Sequence, residues 1–283
     1  MKIGFMVMKN LKEKVVVVTG AGSGMGRAYA LKFSRLGAKL AICDYDEMGL
    51  NETAKLITQQ SGVSPFIQKV DVSKKDEVYS FALKVKENFG NAHIIINNAG
   101  ISGEGKPTWD LPDKSIERVM AINFWGVVYG TRAFLPQLLE NGEGAIVNVS
   151  SIFGLVGTPN NSDYCASKFA VRGFTESLAV ELSSSQIQVH LVHPGGVATN
   201  IDANSEDNKF ADQYLTTSPD DIAEIVHRKI LKNEPRIVCG NNASLVWFCA
   251  RFIPFRYLRN WLWSSMKSTL NLQYYQVLKK KIE

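Results

Sequence analysis

Tyr164 and Lys168 are the residues whose types and spacing most directly suggest chemistry. They stand four positions apart in Tyr164-Cys165-Ala166-Ser167-Lys168, so on a helix their side chains would share one face. A tyrosine phenol has a pKa of about 10 and is a poor base at neutral pH. A nearby ammonium group in a partly desolvated cleft would lower that pKa. The pair alone is also typical of an ordinary surface helix, so it predicts proton transfer only where other groups join it.

A glycine-rich segment supplies a second chemical feature. Thr19-Gly20-Ala21-Gly22-Ser23-Gly24-Met25-Gly26 follows the apolar run 15–18. This order predicts a turn from a buried strand into a helix, where glycines let the backbone approach a pyrophosphate and free N–H groups favour an anion. The spacing differs from G-x-G-x-x-G, and a plain tight turn is the alternative interpretation.

A carboxylate at the end of the next apolar run indicates which dinucleotide would bind. Asp44 ends the run 39–43 and follows Gly26 by 18 residues, close to the offset of about 20 at which an acidic side chain meets the ribose hydroxyls of NAD. It would repel the 2′-phosphate of NADP, and neither Ser23 nor Tyr45 supplies a positive charge. The sequence therefore predicts NAD as cofactor, with a solvated strand-end aspartate as the alternative.

The elements that must position these residues alternate along the chain. Strands are predicted at 15–19, 39–44, 66–70, 94–96, 145–149, 188–192 and 236–239, and helices at 27–36, 75–89, 115–141 and 164–183. This alternation predicts an α/β fold, a single Rossmann-type doubly wound parallel sheet flanked by helices on both faces. We expect one dinucleotide-binding and catalytic domain at 8–241 and a basic, aromatic C-terminal extension at 242–283.

Further motifs stand in a fixed order along residues 12–239. They are Thr19-Gly20-x-x-x-Gly24-x-Gly26, Asp71-Val72, Asn97-Asn98-Ala99-Gly100, Asn123, Ser151, Tyr164 with Lys168, and Pro194-Gly195. In this order and spacing the sequence resembles the short-chain dehydrogenase/reductase family. The resemblance implies an enzyme that interconverts a secondary alcohol and a ketone by hydride transfer. A non-catalytic dinucleotide-binding sensor or scaffold is the competing interpretation.

The resemblance also implies the role of each catalytic residue. Tyr164 would be the general acid/base, and Lys168 would lower its pKa and hold the nicotinamide ribose. Ser151 would bond the substrate oxygen. Asn123 would bind a water that connects Lys168 to solvent.

The same resemblance implies the cofactor contacts. Asp71 and Val72 would lie at the adenine, Asn98 and Gly100 at the adenosine ribose. The complete set of expected cofactor-binding residues is Gly20, Ser23, Gly24, Met25, Gly26, Asp44, Asp71, Val72, Asn98, Gly100, Tyr164, Lys168, Pro194, Gly195, Val197 and Thr199. The last four resemble the segment that covers the nicotinamide.

Two histidines need separate interpretation. His93 stands where many family members have aspartate, and we expect a structural substitution. His193 precedes Pro194 at the mouth of the expected site. It is interpreted as a strand-end histidine, with substrate contact as the alternative.

Composition excludes several classes of protein. The 283 residues are 45% hydrophobic and 21% charged, which excludes collagen-like and disordered chains. The net charge of +5 arises in the tail, because residues 227–283 hold 11 Lys and Arg against 2 Asp and Glu, and no nucleic-acid-reading motif accompanies them.

Four cysteines without metal-ligand spacing predict free thiols and no metal site. The apolar run Ile3 to Met8 is too short for a signal peptide, which predicts a cytoplasmic protein.

Two regions would set substrate and location. Residues 200–221 are acidic and predict a mobile lid, with a solvated acidic loop as the alternative.

Residues 242–283 interleave aromatic residues with Arg251, Arg256 and Arg259, and Pro254 would interrupt any helix. We expect this extension to pack over the active site or a partner subunit, with a peripheral membrane contact as the alternative. These apolar residues favour a hydrophobic small-molecule substrate, and the family resemblance implies a homodimer or homotetramer.

Overall fold

Seven parallel strands form one sheet in the computed structural model, which describes residues 10–199 and 213–279. The strands are β1 (Val15–Thr19), β2 (Lys39–Asp44), β3 (Phe66–Lys69), β4 (Ile94–Asn97), β5 (Gly144–Val149), β6 (Ile187–Pro194) and β7 (Arg236–Cys239). Their order across the sheet is β3-β2-β1-β4-β5-β6-β7. The winding direction reverses between β1 and β4, which opens a crevice at the carboxyl ends of these strands. The predicted fold class is confirmed.

Helices cover both faces of the sheet. One face carries α1 (Gly24–Arg35), α2 (Glu47–Ser61) and α7 (Pro219–Ile230). The other carries α3 (Lys75–Phe89), α5 (Gly126–Asn141) and α6 (Ser162–Glu181). The remaining helices are α4 (Asp113–Met120), α8 (Ala243–Phe252), α9 (Phe255–Met266) and α10 (Gln273–Lys279).

The central strand β1 explains why its sequence is a continuous apolar run. Val16 and Val18 point into the core on the α1 side of the sheet, whereas Val15 and Val17 point into the core on the α3 side. All four side chains are buried. A strand covered on both faces has no solvent side, so it shows no polar alternation.

The predicted helix 115–141 is wrong in detail. The chain forms α4, then a π-helical segment, Ala121–Trp125, and then α5. The π segment contains Asn123, whose side chain is bonded to the backbone of Ile101. Short π-helical insertions of this kind occur frequently at functional sites.

Between β7 and residue 279 the chain forms the α-helices α8, α9 and α10. Pro254 is the N-cap of α9 and follows the end of α8, as the sequence predicts. Val246, Leu258 and Leu262 pack with Val156 in a small separate core. Within residues 10–199 and 213–279, no helix is both long and apolar enough to cross a membrane.

Most of the predicted lid, residues 200–212, lies outside the described residues. The described end of that segment differs from a loop, because Asp220 and Asp221 form the first turn of α7. The Ser218 side chain accepts a hydrogen bond from the Asp220 N–H and caps this helix. The four cysteines are buried free thiols, as predicted.

Candidate active site

The glycine-rich turn lies between β1 and α1 at the carboxyl edge of the sheet. Gly20 and Gly24 have positive φ angles of 67° and 51°, which glycine adopts without strain. A Cβ atom on Gly26 would collide with the Gly20 carbonyl oxygen, so this glycine lets α1 start against the turn. Ser23 is the N-cap of α1 without a side-chain capping bond, and the first turn carries no acidic residue. The helix start therefore fits an anionic ligand such as a pyrophosphate.

Asp44 is fixed beside this turn by two backbone groups. Its Oδ2 accepts from the Gly22 N–H at 2.7 Å, and its Oδ1 accepts from the Asp46 N–H at 2.9 Å. The carboxylate is therefore part of the turn's hydrogen-bond network and holds one orientation.

Asn98 ties the end of β4 to the same turn. Its backbone N–H donates to Thr19 Oγ1 at 3.0 Å, and its side-chain Nδ2 donates to the carbonyl oxygens of Thr19 and Gly20. The Asn98 Oδ1 atom is buried without a hydrogen-bond partner among the described residues. Thr19 was missed by the sequence reasoning as a positioning residue, because its hydroxyl acts only after β1 and β4 pair.

Asp71 and Val72 follow β3. Asp71 Oδ1 accepts from both the N–H and the hydroxyl of Ser73. Val72 is buried, and a Cβ atom on Gly126 would contact its side chain. This pair follows the edge strand β3 at the carboxyl edge of the sheet.

Tyr164 and Lys168 lie in the first two turns of α6. The Lys168 Nζ atom is 5.5 Å from the centre of the Tyr164 ring and donates to the Val149 carbonyl oxygen at 3.2 Å. Lys168 is buried, and this burial lowers the pKa of its ammonium group to about 8. Phe153 packs edge-on against the Tyr164 ring. The predicted pair thus combines a buried ammonium group with a partly exposed phenol.

Ser151 follows β5 and begins a short 3₁₀ turn, Ile152–Gly154. Its Oγ accepts from the Phe153 N–H at 3.1 Å, so its own hydroxyl hydrogen can be donated to another group. Its neighbour Ser150 instead donates to the Lys168 carbonyl oxygen at 2.9 Å. The hydroxyl groups of the two serines therefore have different partners.

Asn123 is fully buried, and its amide group is bonded to protein. Its Oδ1 accepts from the Ile101 N–H at 2.8 Å, and its Nδ2 donates to the Ile101 carbonyl oxygen and to Ser167 Oγ. A Cβ atom on Gly100 would lie 3.2 Å from Asn123 Oδ1 and 3.4 Å from Lys168 Nζ. The glycine therefore permits the close approach of these two side chains.

The segment after β6 closes the crevice. The Gly195 N–H donates to the Cys239 carbonyl oxygen at 2.7 Å, and a Cβ atom on Gly195 would collide with the backbone of Asn241. Thr199 approaches Gly24 at the start of α1, because its Cγ2 would lie 3.1 Å from a Cβ placed there. The chain after β6 thus crosses over the glycine-rich turn. Asn241 was missed by the sequence reasoning, since its contacts depend on the pairing of β6 with β7.

A cavity of about 1170 Å³ lies beside Ser151, Tyr164 and the segment after β6. Seven of the predicted site residues line it: Met25, Ser151, Tyr164, Pro194, Gly195, Val197 and Thr199. The extension supplies a further wall through Leu245, Val246, Trp261 and Leu262. The sequence raised packing over the site as a role for this extension, and the individual wall residues emerge only from the structure.

His193 has a structural contact at the site. It is fully buried, and its Nδ1 lies 2.8 Å from the Ser151 carbonyl oxygen. Burial lowers its pKa to about 4. His93 accepts a hydrogen bond from the Val15 N–H through Nδ1 at 3.2 Å, which is also a structural role.

Comparison with protein families places the chain among known enzymes. The model of the family described as short chain dehydrogenase matches residues 14–209. The Mycobacterium tuberculosis protein named "Putative oxidoreductase SadH" is 41% identical over 265 residues, which are 89% of this chain and 95% of that protein. Retinol dehydrogenase 10-B of Danio rerio is 35% identical over 270 residues, which are 87% of this chain and 80% of that protein.

Solved structures agree with this placement. A short-chain dehydrogenase/reductase from Burkholderia phymatum, in complex with NAD, has a TM-score of 0.79 at 28% identity, covering 86% of this chain and 94% of that one. An alcohol dehydrogenase from Thermococcus sibiricus, complexed with 5-hydroxy-NADP, has a TM-score of 0.71 at 29% identity, covering 79% and 93%. The fold, the ordered motifs and these matches together show that the chain belongs to the short-chain dehydrogenase/reductase family of oxidoreductases.

Proposed function

We propose that this protein is an NAD-dependent oxidoreductase that interconverts a secondary alcohol and a ketone on a hydrophobic substrate. The observation that carries the proposal is the meeting of Ser151 and Tyr164 on the wall of one large cavity, with the Lys168 ammonium against the Tyr164 ring. A dinucleotide-binding sensor or scaffold would not require a serine hydroxyl, a phenol and a buried cation to converge there.

Tyr164 acts as the general acid/base in this proposal. A buried positive charge beside the ring favours the phenolate over the neutral phenol. Lys168, with a pKa of about 8, carries that charge at neutral pH. In the oxidation direction the phenolate takes the proton of the substrate hydroxyl, and in reduction the phenol returns a proton to the ketone oxygen.

Ser151 and Asn123 support the proton transfer in different ways. The Ser151 Oγ accepts a hydrogen bond from the Phe153 N–H. Its own hydroxyl hydrogen remains available and donates to the substrate oxygen. Asn123 holds the backbone of Ile101 through two hydrogen bonds, which keeps Gly100 between Asn123 and Lys168. We propose that a water path to Lys168 passes this point.

The residues around the crevice fit a nicotinamide dinucleotide. When bound, the nicotinamide supplies the hydride acceptor or donor. Gly20, Gly24 and Gly26 would hold the pyrophosphate at the start of α1, where Gly26 lets the helix begin directly against the Gly20 carbonyl oxygen. The unpartnered Oδ1 of Asn98 is free to accept from a ribose hydroxyl.

The surroundings of Asp44 support NAD over NADP. The carboxylate is held at the turn by the Gly22 N–H, and a 2′-phosphate placed there would meet its negative charge. Arg27 lies near and donates to the Gly22 carbonyl oxygen, but it also pairs with Glu52 at 2.6 Å. Lys69, which pairs in register with Asp44, lies 3.7 Å from the Glu47 carboxylate. Both nearby cations are therefore matched by acidic partners.

The cavity lining supports a hydrophobic substrate. Phe153 and Val156 lie on the side of Tyr164, and Leu245, Val246 and Leu262 lie on the side of the extension. A relative named retinol dehydrogenase shares 35% identity over most of the chain. We therefore propose an elongated apolar alcohol, such as a sterol, retinoid or fatty-acyl compound, as the substrate class. A retinol would be the exception to the secondary alcohol, since the same hydride transfer would turn its primary hydroxyl into an aldehyde.

We also propose that the protein forms a homodimer or homotetramer. Trp125 and Leu139 are 45% and 50% exposed at the two ends of α5, and Phe169 and Val180 are 41% and 74% exposed on α6. Exposed large apolar side chains on these two helices are candidates for a subunit contact.

Two assays test the proposed function. Thermal unfolding with NADH and with NADPH measures which dinucleotide binds the folded state, because selective binding raises the midpoint. Steady-state oxidation with NAD⁺ then compares a sterol bearing a secondary hydroxyl with isopropanol. We expect a midpoint shift with NADH and turnover of the sterol. A shift with NADH and no turnover of any alcohol would favour the sensor interpretation.

A further inference from the structure

The C-terminal extension carries an exposed apolar ridge on its outer side. Its five members are 36–70% exposed: Leu245, Phe248, Phe252, Ile253 and Phe255. The three on α8 are spaced so that they share one helix face. Other α8 residues, Val246 and Cys249, pack inward. The buried side and the exposed side of α8 are therefore both apolar. The amino-acid composition of the helix alone does not show which side packs inward.

Arginines flank this apolar ridge. Arg251, Arg256 and Arg259 are exposed, and the Arg251 guanidinium lies 5.8 Å from the centre of the Phe252 ring. Arg256 and Arg259 donate to the neutral side chains of their sequence neighbours. Residues 242–279 contain no aspartate or glutamate. The ridge thus adjoins cations whose positive charge the extension itself does not balance.

The apolar ridge begins at the mouth of the cavity. Leu245 lines the cavity and is also 52% exposed, so it belongs to both surfaces. Leu272 also lines the cavity and is 49% exposed. Whatever covers the ridge therefore adjoins the cavity opening.

We propose that the apolar ridge docks on the surface of an anionic lipid bilayer. Its aromatic side chains would insert at the boundary of headgroups and acyl chains, and the arginines would contact lipid phosphates. The cavity mouth beside Leu245 would then face the lipid, which provides a direct entry for an apolar alcohol; this last step rests on the proposed function.

Charge favours a bilayer over a second copy of the chain. A symmetric dimer through this face would place the same ridge against itself. Arg251, Arg256 and Arg259 of the two copies would then approach one another without acidic partners from either extension, which opposes association. An anionic lipid surface complements both the apolar and the charged parts of the ridge.

Co-sedimentation of the full chain with vesicles tests the proposal. The vesicles are phosphatidylcholine alone or with added phosphatidylserine, at low and high salt. Two variants alter the ridge: Phe248→Ser/Phe252→Ser removes apolar contacts, and Arg251→Glu/Arg256→Glu reverses two charges. The control, Leu83→Ser/Lys84→Glu, changes an exposed leucine and an exposed lysine on α3.

We expect the wild type and the control to bind vesicles that contain phosphatidylserine, and to bind less at high salt. Each ridge variant should bind roughly tenfold more weakly. Absence of wild-type binding, or equal binding by all four proteins, would overturn the proposal. So would sedimentation velocity that shows a dimer in the wild type and a monomer in Phe248→Ser/Phe252→Ser.

A further measurement separates this proposal from the proposed enzyme activity. The midpoint shift with NADH and the oxidation of the sterol supplied on cyclodextrin, both without vesicles, should be the same in the ridge variants and the wild type. Loss of vesicle binding with these two readouts intact supports docking through the ridge. Loss of the NADH shift in a ridge variant would indicate that the substitution disturbs the fold, and would contradict a separate docking role.

Discussion

The Nζ atom of Lys168 lies 5.5 Å from the centre of the Tyr164 ring and 3.2 Å from the Val149 carbonyl oxygen. The ammonium group is thus held between the end of β5 and the phenol by one side chain of α6. Burial lowers the pKa of this ammonium group to about 8. The desolvation that weakens the lysine's hold on its proton also strengthens its electrostatic effect on the neighbouring phenol.

The buried lysine predicts a pH-dependent stability. The pKa of Lys168 is about 8 in the folded protein and about 10.4 in an unfolded chain. Between these values the unfolded state binds more protons, so the contribution of Lys168 to the free energy of unfolding rises with pH. In urea unfolding, the wild type should gain stability relative to Lys168→Met between pH 7 and pH 10. Lys84→Met, at an exposed position, controls for loss of a lysine, and the same pH trend in both variants would contradict the prediction.

Gly100 predicts a steric effect on the proton path. In Gly100→Ala the new Cβ would lie 3.2 Å from Asn123 Oδ1 and 3.4 Å from Lys168 Nζ, so the Asn123 amide must shift by a few tenths of an ångström while Lys168 stays in ordinary contact. We expect kcat to fall roughly tenfold, since small displacements of catalytic groups reduce rates by such factors. The control is Gly157→Ala, where no atom lies within 4 Å of the new Cβ. Equal loss in both variants would argue against a role for this close approach.

Asp44 predicts the cofactor preference. Asp44→Ala removes the carboxylate that would repel a 2′-phosphate, so the ratio of the NADPH and NADH dissociation constants should fall toward one. The matched control is Asp46→Ala, two residues away, whose carboxylate caps α2 through the Met48 N–H. That control should lose about 1 kcal/mol of stability and keep its selectivity. Unchanged selectivity in Asp44→Ala would refute the assignment.

Two buried histidines predict acid sensitivity. Burial lowers the pKa values of His190 and His193 to about 4, against about 6.5 in an unfolded chain. The unfolded state therefore binds more protons in this interval, and the free energy of unfolding falls as pH falls. Each histidine should contribute about 2 kcal/mol of loss between pH 7 and pH 5. Chemical denaturation of His190→Asn should show a smaller loss over this interval, and an identical pH slope would count against the prediction.

The sequence was sufficient for the parts of the site that depend on local order. Strand ends are marked by β-branched runs, so the placement of Asp44 after β2 and of the glycine-rich turn after β1 could be predicted. The spacing of Tyr164 and Lys168 on one helix face also follows from helix geometry. These features need only the period of an element and its direction.

Tertiary contacts could not be predicted in the same way. The interruption of the predicted helix 115–141 involves the bonds between Asn123 and Ile101, which are 22 residues apart. The contact of His193 with the Ser151 carbonyl oxygen requires β5 and β6 to pair. The sequence of α8 does not show which of its faces is exposed, because both faces are apolar. Only the packing of the buried face identifies the exposed one.

The most direct test of the proposed chemistry is turnover by Tyr164→Phe. This substitution removes the phenolic oxygen and keeps the ring that packs against Phe153. We expect the NADH-induced midpoint shift to be retained and kcat to fall by a factor of about 10³ or more. Tyr79→Phe on α3 controls for loss of a phenol outside the site and should keep full activity. A Tyr164→Phe variant with the wild-type kcat would contradict the assignment of Tyr164 as the general acid/base.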